Sequence, residues 1–164
     1  LERDDHLYCS GTLSKAFGGH GGIITGPAEF IEMLKRKSSI YRASSGVPNP
    51  SAAASIQALE IVGANPELRR RLWDNVALLK GELRRLGFQL PDTPVPIVLL
   101  HSMPGVDLKG LAEALFAKDI VVSHRNEQAY TGVPVGGAIR IAVFATHTEE
   151  QILRLSGEIH AFMS

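Results

Sequence analysis

Gly11-Thr12-Leu13-Ser14-Lys15-Ala16-Phe17-Gly18-Gly19-His20-Gly21-Gly22 is the stretch whose reading decides the fold. Five glycines and two hydroxyl residues surround one lysine, and between Asp5 and Glu29 Lys15 is the only formally charged side chain. Surface lysines usually sit among other charges, so this isolation points to a lysine kept for chemistry. An amine in a dry pocket loses part of its proton affinity and becomes a nucleophile toward an aldehyde. Glycines let backbone come close to a ligand, and the hydroxyls of Ser10, Thr12 and Ser14 stand ready to hydrogen-bond an anion. Taken bare, the stretch is either a reactive lysine beside an anion-binding loop or a glycine-rich turn whose lysine snorkels to water.

Working outward, His6 to Ser10 is short, apolar and β-prone, and reads as a buried strand delivering the loop at its end, where open α/β sheets place ligands. Cys9 within it reads as a small buried hydrophobe. Gly22 to Gly26 reads as a second strand. Pro27 suits the first turn of a helix running to Lys37 on a stripe of Phe30, Ile31 and Leu34. Lys35-Arg36-Lys37 then favours the helix dipole as a solvated end. Ile40 to Pro50 is polar and punctuated by proline, without a helical period, and reads as a loop. Ser51 to Val62 is alanine-rich and apolar on nearly every side, so a buried helix capped by Ser51 is expected.

Gly63 to Pro66 breaks the pattern, and a longer helix follows from Pro66 to Leu86. Leu68, Leu72, Val76, Leu79, Leu83 and Leu86 alternate at spacings of four and three to form one apolar face. Arg69, Arg70, Lys80, Arg84 and Arg85 read as solubilising charges, and Trp73 as core. Beyond it, Phe88 to Leu90, Pro96 to His101, Ile120 to Ser123 and Ala138 to Ala145 are strand candidates. Leu108 to Lys118 is a helix with Leu108, Leu111, Ala112 and Leu115 on one face. Thr148 to Met163 is another, with Ile152, Leu155, Ile159 and Phe162 inward and Thr148 to Gln151 as a capping box. The order strand, helix, strand, strand, helix predicts an α/β unit whose sheet is covered on one side by helices.

The chain has 164 residues, is 45% hydrophobic and balances 17 basic against 17 acidic side chains. That is enough to bury a core in one or two domains, and the zero net charge gives no compositional ground for a nucleic-acid or membrane partner. One cysteine and no apolar run of spanning length make the cytoplasm the simplest home. The six histidines show no metal-ligand spacing, so no metal is expected. His20 is expected to shape the lysine loop, and His124-Arg125 precedes the Asn126 to Gly137 loop at a possible substrate entrance. Arg140 interrupts the apolar strand Ile139-Arg140-Ile141. A guanidinium there needs an anionic partner, either a substrate carboxylate or a carboxylate of the protein.

The run from Thr12 to Gly18, with Gly19, Gly21 and Gly22 behind it, resembles the pyridoxal-phosphate (PLP) attachment motif of the class II aminotransferase group, fold type I. Within that group it is most similar to the α-oxoamine synthases, and the resemblance in element order runs over nearly the whole chain. It implies that Lys15 is the Schiff-base lysine and catalytic base, and that Thr12 touches the cofactor phosphate. Ser44 and Ser45 match a stretch that reaches across a homodimer to the partner's cofactor phosphate, although Arg42 and Ala43 replace the family's hydroxyls. Arg140 matches the arginine that binds the carboxylate of the amino-acid substrate or product, with Ala138 standing where the family has a first arginine.

The resemblance further implies the end of a PLP-dependent transferase large domain over 1–64, a connecting helix over 65–86 and a small C-terminal α/β domain over 87–164. It implies an acyltransferase condensing an amino acid with an acyl-CoA to give an α-amino ketone, CoA and usually CO2. Family enzymes are much longer, with their lysine past mid-chain, and their phosphate loop, ring-stacking aromatic and pyridinium-facing Asp lie upstream of it. The 164 residues are therefore expected to be the C-terminal portion of an enzyme and inactive alone. A related aminotransferase using the same lysine and arginine is the nearest rival. A non-catalytic fragment or scaffold subunit is the rival from another class.

Overall fold

The computed structural model describes residues 8–127, 133 and 135–164. The chain divides into two compact units, Leu1–Asn65 and Pro66–Ser164. In the first, β1 (Cys9–Thr12) and β2 (Gly22–Thr25) pair antiparallel, with Cys9 opposite Thr25 and Thr12 opposite Gly22. The loop between them is the lysine stretch. Three helices follow: α1 (Ala28–Lys37), α2 (Ser39–Ala43) and α3 (Asn49–Ala64). Pro27 and Pro48 stand at the N-caps of α1 and α3, where their fixed φ suits helix entry and neither side chain makes a capping bond.

Several expectations for this unit change. A buried strand over His6 to Ser10 and a buried thiol were expected, but β1 covers Cys9–Thr12 and is exposed throughout, Cys9 with it, while His6 and Leu7 lie outside the described residues. The Ile40 to Pro50 loop contains α2, entered through Ser38, whose hydroxyl accepts from the Tyr41 N–H. A five-residue helix is too short to display a period, so a local cap was its only signal. α3 begins at Asn49, two residues before the expected Ser51 cap, and buries only Ser55. Its all-round apolar character predicts burial, but Ile56, Leu59 and Ile61 are exposed.

The second unit has a closed core. α4 (Pro66–Arg85) leads to β3 (Ile97–His101), α5 (Leu108–Phe116), β4 (Ser123–Arg125), β5 (Ala138–Ala142) and α6 (Glu149–Met163). The sheet is antiparallel in the order β3-β5-β4, and β3 alternates, burying Val98 and Leu100 while exposing Ile97, Leu99 and His101. Helices therefore cover one face, as the element order predicted. Val76, Leu79 and Leu83 of α4 pack with Leu108, Leu111 and Leu115 of α5, Ile152, Leu155 and Ile159 of α6, and the sheet's Leu100 and Ile139. The capping box forms as read, with the Gln151 N–H on Thr148 Oγ1 and the Thr148 N–H on Gln151 Oε1.

Here too there are corrections. Phe88 to Leu90 is not a strand, although Phe88 is buried, because Gly87 at φ +95° turns the chain there. The strand expected over Ile120 to Ser123 is displaced to Ser123–Arg125. Trp73 is 48% exposed, lying off the buried face of α4, and Phe162 is exposed at the last turn of α6. Lys80 is 4% exposed, not a solubilising charge. Its ammonium donates to the carbonyl of Pro91 at 3.1 Å, to Thr93 Oγ1 at 3.2 Å and to the Thr93 carbonyl, pinning the 89–96 segment to α4.

Candidate active site

The lysine loop is a hairpin tip closed by its own backbone. The Leu13 N–H donates to the Gly21 carbonyl at 3.0 Å, the Gly19 N–H to the Leu13 carbonyl at 2.8 Å, and the Gly18 N–H to the Lys15 carbonyl at 3.0 Å. Gly18 and Gly21 take φ of +59° and +86°, conformations that side-chain-bearing residues rarely adopt, so these two glycines make the turn possible. At its base, Thr12 Oγ1 accepts from the Ser14 N–H at 3.2 Å, lies 2.7 Å from Ser14 Oγ and donates to the Gly21 carbonyl at 3.3 Å. Thr12, Ser14 and Lys15 are all exposed. Among the described residues of the first unit the expected dry pocket around the amine is not built, and Lys15 stands open.

Ser44 closes α2, donating its hydroxyl to the Ile40 carbonyl at 2.6 Å, and Ser45 follows in an exposed turn. This segment runs beside the lysine loop: a Cβ built on Gly21 would lie 3.2 Å from Val47 Cγ2. Thr12, Lys15, Ser44 and Ser45 thus belong to one unit, with the two serines a few residues from a direct contact to the loop.

Arg140 lies in the second unit on β5, the central strand of its sheet. Its cross-strand partners are Leu99 and Ser123, and since opposed residues share a face, Arg140 is directed away from the helices. It is half-buried, and among the described residues no carboxylate pairs with it. An open groove of about 540 Å³ lies beside β5 at Arg140, bordered by Leu79 of α4, by Ile120, Val122 and Phe144, and by Gln151 and Leu155 of α6. That is the size range of small-molecule sites. Asn75 of α4 fixes one wall by donating to the carbonyls of Phe144 at 3.0 Å and His147 at 2.9 Å. The Phe144 N–H donates to His147 Nδ1, whose ring meets Phe144 edge to face. Sequence reasoning missed Asn75, since one asparagine in a helix carries no signal of a bond made about 70 residues away.

His20 is exposed in the lysine loop. His124 and Arg125 are half-buried on β4, and Gly137 packs so closely that a Cβ on it would meet the Arg125 carbonyl at 2.8 Å. Part of the Asn126 to Gly137 loop lies outside the described residues. Among the described residues no cluster of His, Cys, Asp or Glu has metal-binding geometry, and no helix is long and apolar enough to cross a membrane.

The donor set at the loop suits pyridoxal phosphate at its aldehyde and at its phosphate: an amine with no partner among the described residues, and paired hydroxyls. The family model for aminotransferase class I and II matches residues 1–159. The chain belongs to this family. It is similar to the 8-amino-7-oxononanoate synthase of Fervidobacterium nodosum, 36% identical over 87% of this chain and 35% of that one. It is also similar to a putative 8-amino-7-oxononanoate synthase of Gloeothece citriformis, 38% identical over 94% of this chain and 41% of that one. Among solved structures, serine palmitoyltransferase from S. paucimobilis with bound PLP-myriocin superposes with a TM-score of 0.81 at 25% identity, over 94% of this chain and 39% of that one. The fold is accordingly that of the PLP-dependent transferases. The chain spans a little over a third of the length of the curated relatives it matches.

Proposed function

We propose that this chain is the lysine-bearing C-terminal portion of a PLP-dependent acyltransferase that condenses an amino acid with an acyl-CoA. In the reaction the amino acid's Cα–carboxylate bond and the thioester C–S bond break, and a Cα–acyl bond forms. CO2, CoA thiol and an α-amino ketone leave. The observation that carries this reading is the loop itself, where Lys15 caps a hairpin whose base holds the Thr12 and Ser14 hydroxyls 2.7 Å apart.

When bound, pyridoxal phosphate supplies the electron sink for negative charge at the substrate α-carbon. Lys15 would hold the cofactor at its aldehyde end and would serve as the base for the proton at the substrate α-carbon. Thr12 Oγ1 holds the phosphate, with Ser44 and Ser45 contributing hydroxyls to the phosphate of a partner copy. Arg140 clamps the amino-acid carboxylate and so orients the bond to be broken, a role left open by its having no carboxylate partner among the described residues. The homodimer is supported by the exposed apolar side chains Ile40, Tyr41 and Val47 on the segment that carries these serines. No nucleic acid or membrane enters this reading, and we place the enzyme in the cytoplasm.

Borohydride reduction in the presence of pyridoxal phosphate, followed by peptide mass spectrometry, tests it. A full-length protein carrying this chain is expected to be modified at Lys15, and the 164 residues alone are not. Lys15→Ala should abolish the adduct and lower turnover by at least about 100-fold. CoA thiol release from acyl-CoA without a keto-acid acceptor separates the synthase from an aminotransferase. No adduct at Lys15 in the full-length protein would end the cofactor reading.

A further inference from the structure

We propose that Ser55 is a positioning residue for Lys15, the point at which α3 seats the lysine loop by pressing a small side chain onto Gly19. The inference rests on the reading of Lys15 as the cofactor-holding amine. Ser55 is the one buried residue of α3, 3% exposed, while Ile56, Leu59 and Ile61 on the same helix lie open. The lysine loop lies directly on it: a Cβ on Gly19 would stand 1.9 Å from Ser55 Oγ and 3.2 Å from Ser55 Cβ, an impossible approach for any side-chain-bearing residue.

Two details identify size as the operative property. Gly19 lacks the positive φ of Gly18 and Gly21, so glycine is required there for space and not for backbone conformation. Ser55 Oγ donates within its own helix to the Ser51 carbonyl at 2.9 Å, so its hydroxyl is satisfied without the loop. What Ser55 presents to Gly19 is therefore a small, self-satisfied surface. Gly19 is also the residue whose N–H closes the loop on the Leu13 carbonyl, and the Gly18 N–H beside it closes the turn on the Lys15 carbonyl. A push at Gly19 reaches both bonds that bracket Lys15, and the volume at position 55 sets where the amine stands.

Amide hydrogen exchange on the chain reads the loop without cofactor, and borohydride trapping of pyridoxal phosphate on the full-length protein reads the amine. Ser55→Leu and Gly19→Ala are expected to raise exchange at the Leu13 and Gly19 amides by about tenfold or more, with amides of α6 unchanged. Ser55→Ala should stay within about threefold of the parent, and Gly19→Ala combined with Ser55→Ala should recover part of the loss, because the nearest obstacle has gone. The rate of trapping at residue 15 should follow the same order. Unchanged exchange in Gly19→Ala, or no recovery in the double variant, overturns the proposal even if Ser55→Leu fails to fold. Equal trapping across variants of a protein that does label at Lys15 overturns it while leaving the cofactor reading intact. A parent that takes no cofactor at Lys15 removes that reading and the positioning role together, and exchange then decides only the contact.

Discussion

The two units of this chain are built on opposite terms. The second closes a core of leucine, isoleucine and valine from three helices and one face of a sheet, whereas among its described residues the first buries a single serine. Yet the residues read as chemical lie mostly in the first: Lys15, Thr12, Ser44 and Ser45. The contrast teaches that local backbone closure can hold a reactive loop in shape without a core of its own, while stability is concentrated elsewhere. The sharpest way to break the comparison is paired truncation. Leu100→Ala, at a fully buried position of β3, should cost about 2–5 kcal/mol in urea unfolding. Ile56→Ala, on the exposed side of α3, should fall within about 0.5 kcal/mol of the parent. An Ile56→Ala cost matching that of Leu100→Ala would mean that α3 is covered in solution, and the contrast would disappear.

The same division governs what could be read from the sequence. In the second unit period and burial agree, since Val76, Leu79, Leu83, Leu111, Leu115, Ile152 and Ile159 bury the faces their spacing predicts. In the first unit the pattern of α3 records an environment that these residues alone do not supply, so the helix is recovered and its burial is not. The lysine loop was legible because its glycines and hydroxyls are local signals, whereas the Ser55 seat and the Asn75 bonds join residues distant in sequence. No spacing rule exposes such contacts. Arg140 was legible as an arginine in an apolar strand, but its place at the sheet's centre depends on strand order, which the sequence does not display.

Lys80 sharpens the comparison from the other side. It stands four residues after Val76 and three before Leu83, on the flank of the buried stripe. That position was the available clue to its burial, obscured by the habit of reading a helical lysine as solvated. Its ammonium meets three oxygen acceptors and no carboxylate. Lys80→Ala leaves the carbonyls of Pro91 and Thr93 without their donor and should cost about 1–3 kcal/mol, measured by urea unfolding. Lys80→Met, which keeps the apolar stem, should lose less if packing contributes alongside the hydrogen bonds. A neutral Lys80→Ala would show that the 89–96 segment does not depend on this clamp.

A smaller effect tests whether the second unit is also the better defined at its helix ends. α5 and α6 begin with side-chain caps, from Asp107 to the Lys109 N–H and from Thr148 to the Gln151 N–H, while α1 and α3 begin at prolines whose side chains make no capping bond. In α6 the cap is reciprocal, so Thr148→Ala removes the acceptor for the Gln151 N–H and loosens the return bond from the Thr148 N–H to Gln151 Oε1. The expected loss is about 1 kcal/mol, because water can reach the freed donors at this exposed turn. Pro27→Ala breaks no hydrogen bond and should act only through the flexibility of the unfolded chain, by less than about 1 kcal/mol. Thermal unfolding of both variants decides between two origins of order at these entries. If Thr148→Ala costs no more than Pro27→Ala, packing of Ile152 and Leu155 sets the start of α6, and the capping box follows from the helix without directing it.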